Sequence, residues 1–280
     1  MLSYRHGFHA GNHADVLKHL LLQRILLHLS KKNSPFCCID THAGAGGYSL
    51  NHAYALKNKE FETGIAKLWR RHDLPKCLAE YVQLIKSFNR DQKLSFYPGS
   101  PLLMQRYLRG KDRLFLYELH NTEIQLLKTI IKNDRHISIV HDDGLVSSLK
   151  ILPPVERRGL VFIDPAYELK SEYALVLKTL KAMHQRFATG IYALWYPVIE
   201  RERIDQLEKM LKTSGISNIQ LYELGIALDN GEAGMTASGM IIVNPPWTLS
   251  AEMRPELAWL AGVLAANGSG RFRVEQLVAE

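Results

Sequence analysis

Cysteine is scarce in this chain: three residues in 280, two of them adjacent at Cys37 and Cys38. That number gives no framework of paired bridges, which excludes a disulfide-stapled secreted domain and suits a reducing cytoplasm. Long apolar runs are missing too. The longest candidate, VLKHLLLQRILLHL at 16–29, is cut by Lys18, His19, Gln23 and Arg24. It reads as a soluble helix, well short of the ~20 apolar residues that a bilayer demands. The opening MLSYRHGFHAGNHAD lacks the apolar centre of a secretory signal. No internal repeat or low-complexity tract is visible. What remains is a globular composition, 46% hydrophobic and 22% charged, in a chain long enough to bury a large core.

Acidic charge is in deficit. The net charge is +7, and the surplus is uneven: residues 51–95 hold nine Lys and Arg against five Asp and Glu, a surplus of four. A basic excess gathered in one segment suits a polyanionic partner such as nucleic acid.

Short apolar runs alternate with helical patterns. Strands are expected at 36–40, 113–119, 137–143, 159–164, 190–198, 218–226 and 239–244. Helices are expected at 15–32, 100–109, 121–133, 170–187, 201–214 and 251–265, the first capped by Asn12 or Asp15. Near-continuous Val/Ile/Leu strands between amphipathic helices imply an α/β fold, a mainly parallel sheet covered on both faces. One interval breaks the rhythm. Gly46 and Glu118 lie 72 residues apart, where a strand–helix–strand unit needs roughly 30. The excess is helical and basic. It divides the chain into 1–48 plus 97–280, the sheet domain, and 49–96, an inserted helical subdomain.

Four strands end in something chemically specific. The first ends at Asp40 and runs into THAGAGG, with Gly44, Gly46 and Gly47 stripping side chains from a backbone that something approaches closely. The second ends in YELH, placing Glu118 where a carboxylate takes both hydroxyls of a ribose. The third ends in HDDG, with Asp142, Asp143 and Gly144, and the fourth in DPAY at 164–167. Ligands of such sheets bind at the carboxyl ends of the strands. A dinucleotide is one reading, but the G-x-G-x-x-G fingerprint is incomplete. S-adenosylmethionine fits at least as well, since it needs backbone approach and carboxylates rather than a phosphate cradle.

The DPAY loop suits methyl transfer to a planar amino group. The Asp164 carboxylate and the Pro165 carbonyl would grip the amine hydrogens and aim the nitrogen lone pair, while Tyr167 stacks on the ring. A second copy, NPPW at 244–247, lacks the carboxylate and reads as a structural turn into the last helix.

Together DTHAGAG, DPAY, GIYALWYPV, MTASGM and the opening MLSYRHGFHAGNHADVLKH resemble the bacterial 23S rRNA adenine-N6 methyltransferases of the RlmJ type, over practically the whole chain. The resemblance implies a Rossmann-like methyltransferase with a helical subdomain, S-adenosylmethionine as donor, and one adenine of large-subunit rRNA as target. It implies an N-terminal tail, residues 1–14, folded over the cofactor. Residue by residue it implies cofactor contacts at His19, His42, Ser100, Glu118, Asp143, Gly144 and Asp164, alongside Gly44 of the glycine turn. Asp164 would be the reacting carboxylate and Tyr4 would meet the substrate. Because the family tail lies there, Lys18 is expected to act in the active site or touch substrate phosphate, and His6 to contact the substrate. One departure is plain: the family pattern has two prolines after the aspartate, and this chain has Pro165 then Ala166, which frees a φ and adds an N–H.

His6, His9, His13 and His19 invite a metal, but no Cys accompanies them and no HExxH occurs, so none is expected. The other readings are methylation of DNA adenine or of a protein glutamine amide, and a non-catalytic nucleic-acid-binding protein linked to catabolism of external DNA. The expectation is a cytoplasmic monomer acting on 23S rRNA.

Overall fold

The computed structural model describes residues 5–131, 134–229, 234–265, 268 and 270–280. Among the described residues ten strands form two sheets. β1 (Cys37–Asp40), β4 (Arg113–Tyr117), β5 (Ile137–Val140), β6 (Gly159–Ile163) and β7 (Ile191–Val198) are mutually parallel. β8 (Ile219–Gly225), β9 (Ala237–Val243) and β10 (Arg271–Val278) extend that sheet through antiparallel pairings. The order β10-β8-β9-β7-β6-β1-β4-β5 places β1 in the middle of the five parallel strands, where the winding reverses between β4 and β6. That reversal opens a crevice at the strand carboxyl ends.

The sheet buries both faces, as the unbroken apolar strands require. Along β1, β6 and β7 successive side chains enter opposite cores. Cys38, Leu160, Phe162 and Ala193 join one; Cys37, Ile39, Val161 and Leu194 join the other. The first core is covered by α1 (His13–Lys31), α6 (Ser100–Tyr107), α7 (Asn121–Ile130) and α11 (Leu249–Leu264). The second is covered by α8 (Gly144–Ser147), α9 (Glu172–Arg186) and α10 (Arg201–Lys212). α1 starts where Asn12 accepts the Asp15 N–H at 3.0 Å. It is buried almost all round, so its few polar side chains need specific partners.

Between β1 and β4 the chain makes α2 (Ala53–Asn58), α3 (Glu60–Thr63), α4 (Ile65–Trp69) and α5 (Lys76–Lys86). Ile65, Leu68, Leu78, Tyr81 and Ile85 share the core of α1. The ends of this stretch are tied together by a two-stranded ribbon, β2 (Gly47–Ser49) with β3 (Phe96–Pro98). NPPW lies at the opposite rim from the crevice, because β9 runs against β7. Its Asn244, at φ +51°, donates to the Ala188 and Gly190 carbonyls and shapes the turn before α11.

Candidate functional site

The crevice is a cavity of about 230 Å³ built from the ends of β1, β4, β5 and β6 and from the start of α1. It brings together His6, Lys18, His19, His42, Gly44, Ser100, Glu118, Asp143, Gly144, Asp164 and Pro165. Tyr4 lies outside the described residues. Tyr167 is not among the residues lining this cavity: its hydroxyl donates to the Trp195 carbonyl at 2.8 Å and its ring packs on Tyr173 at 4.3 Å. The loop turns sharply there, with Tyr167 half-buried at φ +51°.

Each strand end presents its group for a local reason. Glu118 follows β4 and is clamped, Oε2 accepting from Gly44 N–H at 2.7 Å and Oε1 from His120 N–H at 2.6 Å. Burial raises its pKa against those two bonds. Asp143 caps α8, accepting from Leu145 N–H at 2.9 Å. The β1 and β5 loops touch: a Cβ on Gly144 would lie 2.1 Å from the Thr41 carbonyl oxygen, so only glycine fits. Behind the glycine turn Asp40 is wholly buried, accepting from Ser100 Oγ at 2.7 Å and His42 N–H at 3.2 Å. Burial pushes its pKa up to about 7 despite those bonds.

Two histidines are held neutral. Burial lowers His42 to about 4 and His19 to about 3. The Thr41 hydroxyl donates to Phe162 O at 3.1 Å and meets His42 Nδ1 at 2.8 Å, which makes Nδ1 the protonated nitrogen and Nε2 the acceptor. His19 Nδ1 joins the buried hydroxyls of Tyr97 (2.9 Å) and Tyr81, themselves 2.7 Å apart.

A buried chain of charge links the first helix to the DPAY loop. Lys18 Nζ reaches Asp164 Oδ2 at 2.5 Å and Asp15 Oδ1 at 3.1 Å, and Asp15 Oδ2 accepts from His6 Nε2 at 2.9 Å and Gly11 N–H at 2.8 Å. Burial disfavours the Lys18 charge, but Asp164 and Asp15 outweigh it and raise its pKa. Asp15 is held well below the usual range by His6 and Lys18 in spite of complete burial. Lys18 and His19 lie in the second turn of α1 and line the same cavity. Sequence reasoning missed Asp15, although its place three residues before Lys18 on one helix face was a usable signal. It also missed Thr41, Tyr48 and Glu172, whose roles depend on distant neighbours.

The balance of charge favours one ligand. Among the described lining residues five carboxylates (Glu118, Glu123, Asp143, Asp164 and Glu172) face a single ammonium, Lys18, already paired. Such a wall repels a pyrophosphate and attracts a nucleoside carrying positive charge. Glu118, Asp143 with Leu119 and Leu145 beside it, and the DPAY loop at one wall together give a methyltransferase-type site whose residues fit S-adenosylmethionine.

Comparison with known proteins agrees. The model of the family described as Ribosomal RNA large subunit methyltransferase D, RlmJ, matches residues 33–278. Two proteins named Ribosomal RNA large subunit methyltransferase J are similar over their whole lengths and this one's: that of Escherichia coli at 46% identity and that of Haemophilus influenzae at 45%. A crystal structure of a Legionella pneumophila protein, 37% identical, superposes with a TM-score of 0.89 over 96% of this chain and 98% of its own. A probable spermidine synthase from Corynebacterium glutamicum shares the fold alone, at 9% identity, TM-score 0.52, 93% of this chain and 75% of its own. The chain belongs to the RlmJ family of methyltransferases, and its methyl donor is S-adenosylmethionine. No helix among the described residues is long and apolar enough to cross a membrane.

Proposed function

We propose that the protein methylates the exocyclic N6 of an adenine in 23S rRNA, acting as a cytoplasmic monomer, with residues 49–96 serving as an inserted basic subdomain. The observation that carries this reading is that Glu118, Asp143 and Asp164 share one cavity. When bound, S-adenosylmethionine supplies a methyl group made electrophilic by its sulfonium.

Glu118 would hold the ribose, Asp143 and Gly144 the purine, and Gly44, Ser100, His19 and His42 the amino-acid end. Lys18 engages Oδ2 of Asp164, which leaves Oδ1 to accept one amine hydrogen while the Pro165 carbonyl accepts the other. An adenine nitrogen gripped this way loses conjugation with its ring and gains a directed lone pair. Asp164 then takes the displaced proton. With one oxygen pinned by Lys18 the carboxylate has a fixed orientation, and Asp15 fixes Lys18 in turn. Tyr167 acts as a positioning residue, anchoring the loop on Trp195. Ala166 keeps the Pro165 carbonyl available. Tyr4 and His6, on the N-terminal segment, meet the incoming nucleotide.

The reading is tested by incubating the enzyme and labelled donor with protein-free 23S rRNA, assembled large subunits, duplex DNA and a protein acceptor, then digesting the products. Label is expected as N6-methyladenosine in RNA. Label confined to DNA or protein, or none above an Asp164→Ala control, would overturn it.

A further inference from the structure

The mouth of the cavity continues onto a surface that the chemistry leaves unused. His6 and Tyr48 line the cavity with ring centroids 5.0 Å apart. Gly7 comes next, and a Cβ there would lie 3.5 Å from Tyr54 and 3.8 Å from Tyr48. The Tyr54 ring therefore lies beside this segment next to Tyr48. Phe8 lies against it at 4.6 Å and His52 meets it edge-on at 4.8 Å. Each of the two larger rings carries a cation. Arg5 lies 5.4 Å over Tyr54 and donates to its hydroxyl at 3.0 Å; Lys57 lies 5.6 Å over Phe8. Phe8 and Tyr54 are half-buried, while His52 and Lys57 are exposed. Glu60, at the start of α3, is already committed to His9 at 2.8 Å and Asn12 at 2.9 Å.

We propose that Phe8, His52 and Tyr54, with Arg5 and Lys57, form a stacking platform for the unpaired nucleotides that flank the target base. The inference rests on the RNA reading above. A base that leaves its stack to enter the cavity strands its neighbours, and aromatic faces beside the entrance replace the lost stacking. A guanidinium and an ammonium next to those faces meet the phosphates on either side. Interleaved aromatic rings and cations are what single-stranded nucleic acid demands of a surface, and His52, Tyr54 and Lys57 stand at the start of the basic stretch 51–95. The competing account is a clasp, in which the same side chains merely fasten the N-terminal segment to α2.

The test uses the full chain with Tyr54→Ala and, separately, the doubly exposed variant His52→Ala/Lys57→Ala. Affinity for an unstructured single-stranded RNA oligonucleotide is measured by fluorescence anisotropy across a salt series, and affinity for S-adenosylhomocysteine by calorimetry. Tyr54→Ala is expected to weaken RNA about tenfold, and the double variant to lower the slope of log affinity against log salt by about 0.7 for each phosphate it no longer neutralises. S-adenosylhomocysteine affinity is expected to be unchanged in both. RNA affinity within twofold of wild type in both variants would overturn the platform, and a parallel loss of S-adenosylhomocysteine affinity would establish the clasp instead. If Tyr54→Ala does not fold, the double variant decides alone. A wild-type enzyme that neither binds the oligonucleotide nor labels rRNA defeats the parent reading. One that labels rRNA while both variants bind normally defeats only the platform.

Discussion

Replacing Lys18 by Met removes one charge from between two carboxylates and keeps nearly the same volume. The side chains involved are 4% exposed for Lys18, 0% for Asp15 and 15% for Asp164, so water screens little of the consequence. Breaking a buried pair by deleting one partner costs about 3–5 kcal/mol, because the remaining charge is left uncompensated. The Lys18 ammonium also gives up its place 5.2 Å over the Trp195 ring. At the low end, about 3 kcal/mol, a chain of this size should melt about 5 °C earlier. The deficit has a pH signature. The Asp15 contribution is present above the unfolded carboxyl value of 3.8 and is lost as pH falls through its depressed folded value. Without Lys18 that folded value rises, so the gap between variant and wild type narrows as pH falls. Urea titrations of wild type, Lys18→Met, Asp164→Asn and the double variant complete the test. If the ion pair couples the two residues, the double variant loses at least about 1 kcal/mol less than the sum of the singles. Strict additivity would refute the coupling, and with it the claim that Lys18 orients Asp164. Turnover of Lys18→Met should fall about a hundredfold, the usual consequence of a displacement near 1 Å at a reacting group.

Glu118→Gln should weaken S-adenosylhomocysteine about tenfold or more in calorimetry, since an amide cannot accept from both the Gly44 and His120 N–H groups; unchanged affinity would remove Glu118 from the site. Gly144→Ala should abolish measurable binding of the same ligand, because its Cβ would collide with the Thr41 carbonyl and part the β1 and β5 loops; normal binding would show that the two loops need not touch. His13, His19 and His42 are lowered by burial to about 4, about 3 and about 4. Their stabilisation is full above the unfolded value of 6.5 and is lost as pH falls below it. Asp40, raised to about 7, runs the other way, favouring the fold below 3.8 and losing that benefit as pH rises toward 7. Three groups against one give a net loss of about 2 kcal/mol per pH unit near pH 5, and a melting temperature that stayed flat from pH 6.5 to 4.5 would contradict it.

The sheet was readable because β1, β4, β6 and β7 are short apolar runs, and each of the first three ends beside a residue no core would choose: Asp40, Glu118 or Asp164. β5 was readable too, but it stops at Val140, short of the acidic pair it was expected to include. The β2–β3 ribbon was not legible, since three-residue strands carry no period. β10 was missed because its charged residues, Arg273 paired with Glu208 of α10 and with Glu275, resemble a charged tail until β8 is placed beside it. Lys18 and Asp164 are 146 positions apart and Tyr167 turns on a single positive φ. Neither a distant ion pair nor one dihedral leaves a pattern in the chain. The cationic rings at Arg5–Tyr54 and Lys57–Phe8 were invisible for the same reason, although the basic excess around them was plain.

Residue 164 is where the donor methyl and the gripped amine are held to converge. Single-turnover methylation of 23S rRNA by wild type and Asp164→Asn, with enzyme saturating over RNA and the nucleoside product identified by mass, tests this most directly. Wild type is expected to yield N6-methyladenosine, and the variant to do so at least about a hundredfold more slowly. Equal rates, or a methyl group on any other atom, would contradict it.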